Sequence, residues 1–377
     1  MSNNFRGGVM RYCDFCVMPD SRPGIKFTTL NDGRLKCSAC VNHENKQKID
    51  YKARFKELEA LCDKHRGRNG SNDYDCAIAV SGGKDSHFQV HIMKEKLGMN
   101  PVLFSVEDNF TMTQAGKSNL RNLSQEFGCH IISLKPNIKT QKALMLYKYG
   151  KPTWYIDRLI YSYPFAMAAK FNTPLLIYGE NVSYEYGGHD SAETPSAKDI
   201  FLNGVASDID LSGVDIDPKD LQLFYDPASS NYIDSLEPIY LSYFIKWNSY
   251  SNYIFAKSRG FSDLKSEWDR THTIEDFDQV DTIAYTVHAW MKYPKFGHAT
   301  ATDYASRLVR YGLLDRNKAI ELVKERDHAL DPRCVEDFCN FIGISKSEFW
   351  KIIESHYNLD IFAKNEFGEY KLKYEIG

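Results

Sequence analysis

The chain runs to 377 residues, 43% of them hydrophobic, with 47 Lys and Arg against 50 Asp and Glu for a formal charge of −3. That length suits two to three domains of about 150 residues each, and the near-neutral balance excludes the overall electrostatics of a protein built to coat nucleic acid or an anionic membrane. No apolar run approaches the roughly 18 residues that would span a bilayer, because the longest candidate, Ile160 to Phe171, is broken by Pro164 and Lys170.

The first nine residues, MSNNFRGGV, lack the apolar centre of a secretion signal, so a cytoplasmic location is expected. Residues 1–70 carry 14 Lys and Arg against 8 Asp and Glu, while residues 181–240 carry 2 against 12, which points the two regions at different partners. The stretch 1–48 is rich in turn residues (Pro19, Pro23, Gly24, Asn31-Asp32-Gly33) and poor in apolar periodicity. A bound ion would supply what its core lacks. Asp50 opens a helix with Phe55, Leu58 and Cys62 on one stripe, and Gly67 to Asp73 reads as a linker.

From Tyr74 strands and helices alternate. Cys76 to Val80 reads as a strand, Ser86 to Leu97 as a helix closed by Gly98, and Pro101 to Val106 as a second strand. Ala115 to Phe127 is the next helix, with Leu120, Leu123 and Phe127 on one face and Gly128 after it; Ile131 to Leu134 is a strand, Tyr155 to Phe171 helical, and Pro174 to Tyr178 another strand. This alternation predicts an α/β fold with a doubly wound parallel sheet. Beyond about residue 240 strands are expected to stop, and the last third reads as helical and rich in aromatics. Asp315 starts one helix there (Ala319, Ile320, Val323), and Ser345 with Glu348 forms a capping box for another. The expected division is 1–48, 49–240 and 241–377.

Ser81-Gly82-Gly83-Lys84-Asp85-Ser86 lies between a buried strand and a helix. Two glycines let the backbone turn tightly and approach an anion, the helix start offers free N–H groups, and the Ser81 and Ser86 hydroxyls can donate to the same oxygens. The segment is read as a polyphosphate cradle. It is not a Walker loop, which would require glycine at Ile78 and a hydroxyl residue at Asp85. An acidic residue in an anion site makes sense if Asp85 orients Mg²⁺ or a serine.

Four of the nine cysteines form two C-x-x-C pairs, Cys13/Cys16 and Cys37/Cys40, whose spacing suits four thiolates around one Zn²⁺ in a closed, structural site. His43 is close enough in sequence to replace one of them but reads more simply as a surface histidine. His87 and His91, at i and i+4, lack the intervening Glu of a metalloprotease and read as structural or solvent-facing.

The Ser81–Ser86 segment after the first strand of such a sheet resembles the PP-loop of the ATP pyrophosphatases (adenine nucleotide alpha hydrolase-like fold), which split ATP between the α and β phosphates and transfer AMP to a carbonyl oxygen. With the four-cysteine ribbon, Cys16-Val17-Met18-Pro19-Asp20, Asp108-Asn109, Tyr178-Gly179-Glu180-Asn181 and Lys295-Phe296-Gly297, the chain resembles over nearly its whole length the bacterial N-acetyl sugar amidotransferases. The resemblance implies conversion of the N-acetyl group of a surface-glycan sugar, such as a pseudaminic or legionaminic acid of flagella or an O-antigen sugar of lipopolysaccharide, into an acetamidino group.

The chemistry fits the parts. An amide is a poor electrophile, so AMP transfer to its oxygen makes an O-adenylyl imidate, ammonia attacks the carbon, and AMP departs. Positioning and charge neutralisation by Mg²⁺ and Lys84 would carry catalysis, with Asp85 ordering the metal or the loop. ATP would be held by Ser81, Gly82, Gly83, Lys84, Asp85, Ser86, Asp108, Asn109 and Gly179, the last three ending strands at the carboxyl edge where such sheets bind ligands. Glu180 is the candidate for handling ammonium or the leaving proton; otherwise it caps a loop. Asn181, Lys295, Arg307 and Arg310 are the candidate substrate residues, Arg307 and Arg310 sharing a helical face at i, i+3, although Arg307 could simply pair with Asp303 at i, i+4.

None of the other cysteines (Cys62, Cys76, Cys129, Cys334, Cys339) sits in a Gly-x-Cys-x-Gly elbow, and residue 2 is serine, so ammonia is expected from a separate glutaminase. The resemblance implies a glutaminase and barrel pair like that of imidazole glycerol phosphate synthase, for which the basic residues of 1–70 are either a docking face or merely solvated. A PP-loop enzyme of tRNA thiolation or lysidine formation is the main rival; isolated Cys76 and Cys129 and the acidic 181–240 stretch speak against RNA. An ATP-binding sensor similar to universal stress proteins is the non-enzymatic rival.

Overall fold

A computed structural model describes residues 9–70, 73–145, 147–188, 194–200, 209–221 and 233–377. The linker's Ser71 and Asn72, and residues 189–193, 201–208 and 222–232 of the acidic 181–240 stretch, lie outside these residues.

The N-terminal unit is a short hairpin, β1 (Phe27–Thr29) and β2 (Leu35–Cys37), running directly into α1 (Ser38–Lys46). Asp50 caps α2 (Tyr51–His65) by accepting from the N–H groups of Lys52 and Ala53, as its position before an apolar stripe predicts. The central sheet has five parallel strands in the order β5-β4-β3-β6-β7: β3 (Cys76–Ala79), β4 (Pro101–Val106), β5 (His130–Leu134), β6 (Leu175–Tyr178) and β7 (Glu237–Tyr240). Strand order reverses at β3, so the crevice between the ends of β3 and β6 is the switch point where such sheets bind ligands.

Side chains alternate across the sheet as the pleat requires. Cys76, Ile78, Leu103, Leu175 and Ile177 pack on one face, with Leu58 and Cys62 of α2 and Leu123 and Phe127 of α4 (Gln114–Phe127). Ala77, Val102, Phe104, Leu176 and Tyr178 pack on the other, with Tyr163 and Phe165 from α6 (Trp154–Lys170). The helix after β3 begins as α3 (Lys84–Val90) and finishes as a π turn (His91–Lys96) before Gly98; α5 (Ile138–Ala143) follows β5, and α7 (Val182–Glu185) follows β6.

After β7 come α8 (Leu241–Phe244) and α9 (Ser249–Ser258), which lies along α3. The rest is α10 (Thr286–Trp290), α11 (Lys292–Phe296), α12 (Thr300–Arg310), α13 (Arg316–Arg326), α14 (Pro332–Ile342) and α15 (Lys346–Glu354), around a separate core that includes Trp268, Trp290, Phe338 and Phe349. Asp315 and Ser345 cap α13 and α15.

Two expectations for this third need correction. Strands do not stop at 240: β8 (Phe362–Lys364) and β9 (Tyr370–Leu372) pair as an antiparallel hairpin around Gly368. Nor is the third helical throughout, because residues 259–285 form no regular helix or strand. Their carboxylates serve their own backbone instead, Glu275 accepting from the N–H groups of Phe277 and Asp278. Buried Arg270 is the hub, pairing with Glu275 at 3.0 Å and donating to the carbonyls of Glu275 and Asp278. The loop lies against α4, whose first N–H groups, at Gln114 and Ala115, donate to Glu267.

Candidate active site

The turn after β3 closes on itself. Ser86 Oγ accepts from the Ser81 N–H at 3.0 Å, and Ser81 Oγ from the Gly83 N–H at 3.2 Å. Gly82 has φ +90°, and a Cβ there would sit 3.0 Å from the Leu120 backbone, so both conformation and space demand glycine. The two serine oxygens thus order the loop as acceptors, and each hydroxyl keeps its own O–H to donate into the cavity that both residues line.

Lys84 is 2% exposed, with its ammonium 2.7 Å from Asp85 and 2.6 Å from Asp278. Burial opposes that charge, but Asp278 and Asp85 outweigh it and raise the pKa, so Lys84 stays protonated. The second Asp85 oxygen accepts from Asn252 of α9 at 2.8 Å.

The loop opens onto a cavity of about 370 Å³, within the range of small-molecule sites. The α/β part contributes the loop, Asp108, Tyr161 and Gly179-Glu180; the C-terminal part contributes Trp247 and residues 277–282 with Tyr285. Asp108 accepts from the Phe110 N–H and from Thr282 Oγ1, both at 2.8 Å, and burial lifts its pKa to about 6. Asp281 is pushed to about 7 by burial and by Asp108. Glu180 is raised to about 7 by burial, against the pull of Arg307 at 3.5 Å. A carboxyl poised near neutrality beside the Ser81–Ser86 turn is suited to proton transfer.

Several expected site residues lie elsewhere. Asn109 faces away from the cavity, its amide donating to the Pro136 carbonyl and to Gln141, because it ties the end of β4 to the end of β5. Asn181 caps α7, accepting from the Tyr184 N–H at 3.2 Å. Lys295 donates to the Gly150 carbonyl at 2.7 Å, outside the cavity lining, and burial together with Lys151 and Lys292 lowers its pKa to about 8.

Arg307 and Arg310 part company because side chains three residues apart on a helix diverge by about 60°. Arg307, 6% exposed, sits behind Glu180 rather than in the lining: it donates to the Tyr186 hydroxyl and lies 3.8 Å from Asp278. Arg310 faces the cysteines instead. The Asp303–Arg307 pairing is also absent, since Asp303 takes Arg22 and Lys292.

Cys13, Cys16, Cys37 and Cys40 are all buried, with sulfurs 3.8 Å apart for Cys13–Cys40 and 3.6 Å for Cys16–Cys37. All four lie within 4.8 Å of one another, in a donor set fit for one soft metal ion, and they are the one such cluster among the described residues. His43 packs on Tyr311 and takes no part. His87 bonds the Gly83 carbonyl and Asn122, and His91 bonds Glu95, so neither forms a metal pair. The ribbon also braces the active site. Ser38 and Asn42 of α1 donate to the carbonyls of Gly187 and Tyr184 just after Glu180, and Arg316 of α13 holds the carbonyls of Cys13 and Cys16. Many basic residues of 1–70 are thus engaged internally, including Arg22 with Asp303 and Lys46 with Glu185.

Comparison with known proteins decides the C-terminal part. Residues 247–375 match the family described as "LPS biosynthesis protein WbpG-like, C-terminal domain". The last third is similar to that C-terminal domain. The match agrees with the resemblance to sugar amidotransferases and covers the part that brings Trp247, Asp278, Asp281 and Tyr285 to the cavity. An uncharacterized protein of Methanocaldococcus jannaschii is 27% identical over 120 aligned positions, covering 26% of this chain and 42% of that protein; the chain thus spans less than half of this relative. Among solved structures, the U34-tRNA thiolase NcsA from Methanococcus maripaludis with its 4Fe-4S cluster aligns over 83% of this chain and 88% of its own at 13% identity, but a TM-score of 0.31 is too low to carry an argument. Among the described residues no helix is long and apolar enough to cross a membrane.

Sequence reading missed Gln89, Trp247, Asn252, Asp278, Asp281 and Tyr285. Gln89 carried one signal, its place at i+4 from Asp85 on the face that carries the loop. The others come from a segment whose position nothing in the local sequence reveals.

Proposed function

We propose that the protein is an ATP-dependent amidotransferase that converts the N-acetyl group of a bacterial surface-glycan sugar into an acetamidino group, releasing AMP and pyrophosphate. The observation that carries this reading is the WbpG-like domain: it closes the cavity that the Ser81–Ser86 loop opens, so a domain of lipopolysaccharide biosynthesis and a phosphate cradle share one site.

The loop backbone and Lys84 would meet the ATP phosphates, Lys84 exchanging Asp278 for phosphate oxygen while Asp85 and Asn252 hold the loop. Asp85 and Asp278 are the oxygen ligands placed to hold Mg²⁺, which supplies charge neutralisation when it arrives with ATP. The sugar amide oxygen attacks the α phosphorus and pyrophosphate leaves. Ammonia then adds to the imidate carbon and the C–O bond breaks, so AMP departs carrying the former amide oxygen. Glu180, half protonated near neutrality, takes the proton that the nitrogen gives up. Among the described residues no cysteine lines the cavity, an arrangement that favours this reading over tRNA thiolation.

Zinc is the proposed metal of the ribbon, as a structural cross-link. Zn–S bonds of about 2.3 Å make a tetrahedron with edges of about 3.8 Å, close to the observed 3.6 and 3.8 Å. A separate glutaminase is the proposed source of ammonia; the five remaining cysteines are buried, which agrees with that reading.

The test incubates the purified protein with Mg-ATP, ammonium and a panel of acetamido sugars carrying ¹⁸O in the acetyl group. Amidine product with ¹⁸O recovered in AMP is expected. Pyrophosphate released only with tRNA would replace this reading by RNA modification, and ATP bound but never split would leave a sensor.

A further inference from the structure

Three buried polar atoms of the cavity wall have no partner among the described residues, on Gln89, Trp247 and Asp281, and the first two share one neighbourhood. Gln89, on α3 one turn beyond Asp85, is 5% exposed; Trp247, between α8 and α9, is 3% exposed. Both line the cavity, and neither Gln89 Oε1 nor Trp247 Nε1 has a hydrogen-bond partner among the described residues. Unmet polar atoms in a buried site are unfavourable and call for a ligand. One of these atoms accepts and the other donates.

Both side chains abut Gly179, the residue before Glu180. A Cβ on Gly179 would lie 2.9 Å from Gln89 Nε2 and 3.1 Å from the Trp247 ring, so glycine is what lets both side chains close up against the end of β6. Phe88 packs edge-on against the indole, with ring centroids 5.7 Å apart, and fixes its orientation. The fitting ligand is therefore very small, accepts one hydrogen bond from the indole N–H, and donates others to an amide oxygen and to the carboxylate next along the chain. Ammonia has one lone pair and three N–H bonds.

Resting on the amidotransferase reading, we propose that Gln89, Trp247 and Glu180 form the docking niche for the ammonia nucleophile. Ammonia leaves the indole N–H as its lone pair forms the C–N bond, the C–O bond to AMP breaks with its electron pair on AMP, and one N–H proton passes to Glu180, leaving an amidinium that keeps the former amide proton. Every atom and electron pair is supplied by ammonia, the adenylylated amide and Glu180.

The test compares wild type with Gln89→Leu and Trp247→Phe, using Mg-ATP, an acetamido sugar that the wild type turns over, and ammonium chloride or methylamine as the nitrogen source. Both variants should raise the KM for ammonium about tenfold while the KM for ATP moves less than about threefold. Trp247→Phe keeps an aromatic ring against Phe88 but removes the pyrrole half with its N–H, so the near-isosteric Gln89→Leu is the variant that reads loss of a hydrogen-bonding group with little change of volume. Wild type should reject methylamine, and Gln89→Ala should admit it, a change of nucleophile that a merely structural role would not produce. An unchanged ammonium KM in both variants, with amidine still formed, would mean that the niche holds water alone and would overturn this proposal while sparing the amidotransferase. A wild type that makes no amidine from any sugar in the panel would sink both.

Discussion

The cysteine ribbon and the cavity are assembled on opposite plans. The ribbon draws its four sulfurs from one short stretch, 13–40, and its own hairpin and helix set their geometry. The cavity draws on Ser81–Ser86, Glu180, Trp247 and residues 277–285, so its polar groups meet only when the sheet and the WbpG-like domain have docked. A local site fails by losing its ligands. A distributed site fails by losing the contacts that bring its parts together, even when its chemical groups remain.

The largest effect should come from attacking the local site. Cys13→Ser with Cys37→Ser is expected to abolish metal binding and to lower stability by more than about 4 kcal/mol, as read by metal content and denaturant unfolding. An unchanged unfolding curve with the metal gone would show that the ribbon does not depend on it. Next, Arg270→Met removes the hub of the 259–285 loop and strands Glu275, at a cost of about 3 to 5 kcal/mol. It should weaken Mg-ATP binding although Arg270 does not itself line the cavity, because it holds the backbone carbonyl of Asp278, which does. Retained ATP affinity would mean that the loop holds Asp278 in place without its arginine.

Asp85→Asn should slow AMP formation by about a hundredfold or more while leaving metal content intact; normal AMP release would remove Asp85 from the mechanism. The smallest effect is electrostatic. With Glu180 acting as a base raised to about 7, the rate should climb with pH through neutrality. Arg307→Gln takes away the charge that lowers this pKa, so the acid limb should move to higher pH, with activity about tenfold lower on the acid side and recovering in alkali. A limb that stays in place would detach Arg307 from Glu180. The stability linkage has the same origin. A carboxyl raised on folding binds its proton more tightly in the native state, so its contribution is full below the unfolded value and is lost as pH rises to about 7. Glu180→Gln should therefore stabilise the fold at alkaline pH and change little in acid.

Features governed by local rules were largely legible in the sequence. The Asp50 and Ser345 caps, the strands around 76–80 and 101–106, and the glycine turn all depend on residues near one another along the chain, and each lies where patterning placed it. The hairpin 362–372 went unread because each strand is only three residues long and gives alternation little to show. Arg307 and Arg310 were legible as a pair on one helix, but their separate tasks were not. That division depends on α12 lying between the ribbon and the cavity.

By itself, then, the sequence determined the chemistry on offer: a glycine turn at a helix start with an acid inside it, four thiols at metal spacing, and an alternation that winds a parallel sheet. Only the tertiary structure decided which groups would act together. It turned Asn109 and Asn181 into braces, moved Arg307 behind Glu180, and brought Asp278 to Lys84 across 194 positions of chain. The reason is range. Caps, turns and strand faces are fixed by torsions and by neighbours within a few residues, whereas burial and charge pairing act between any groups that packing brings within a few ångströms.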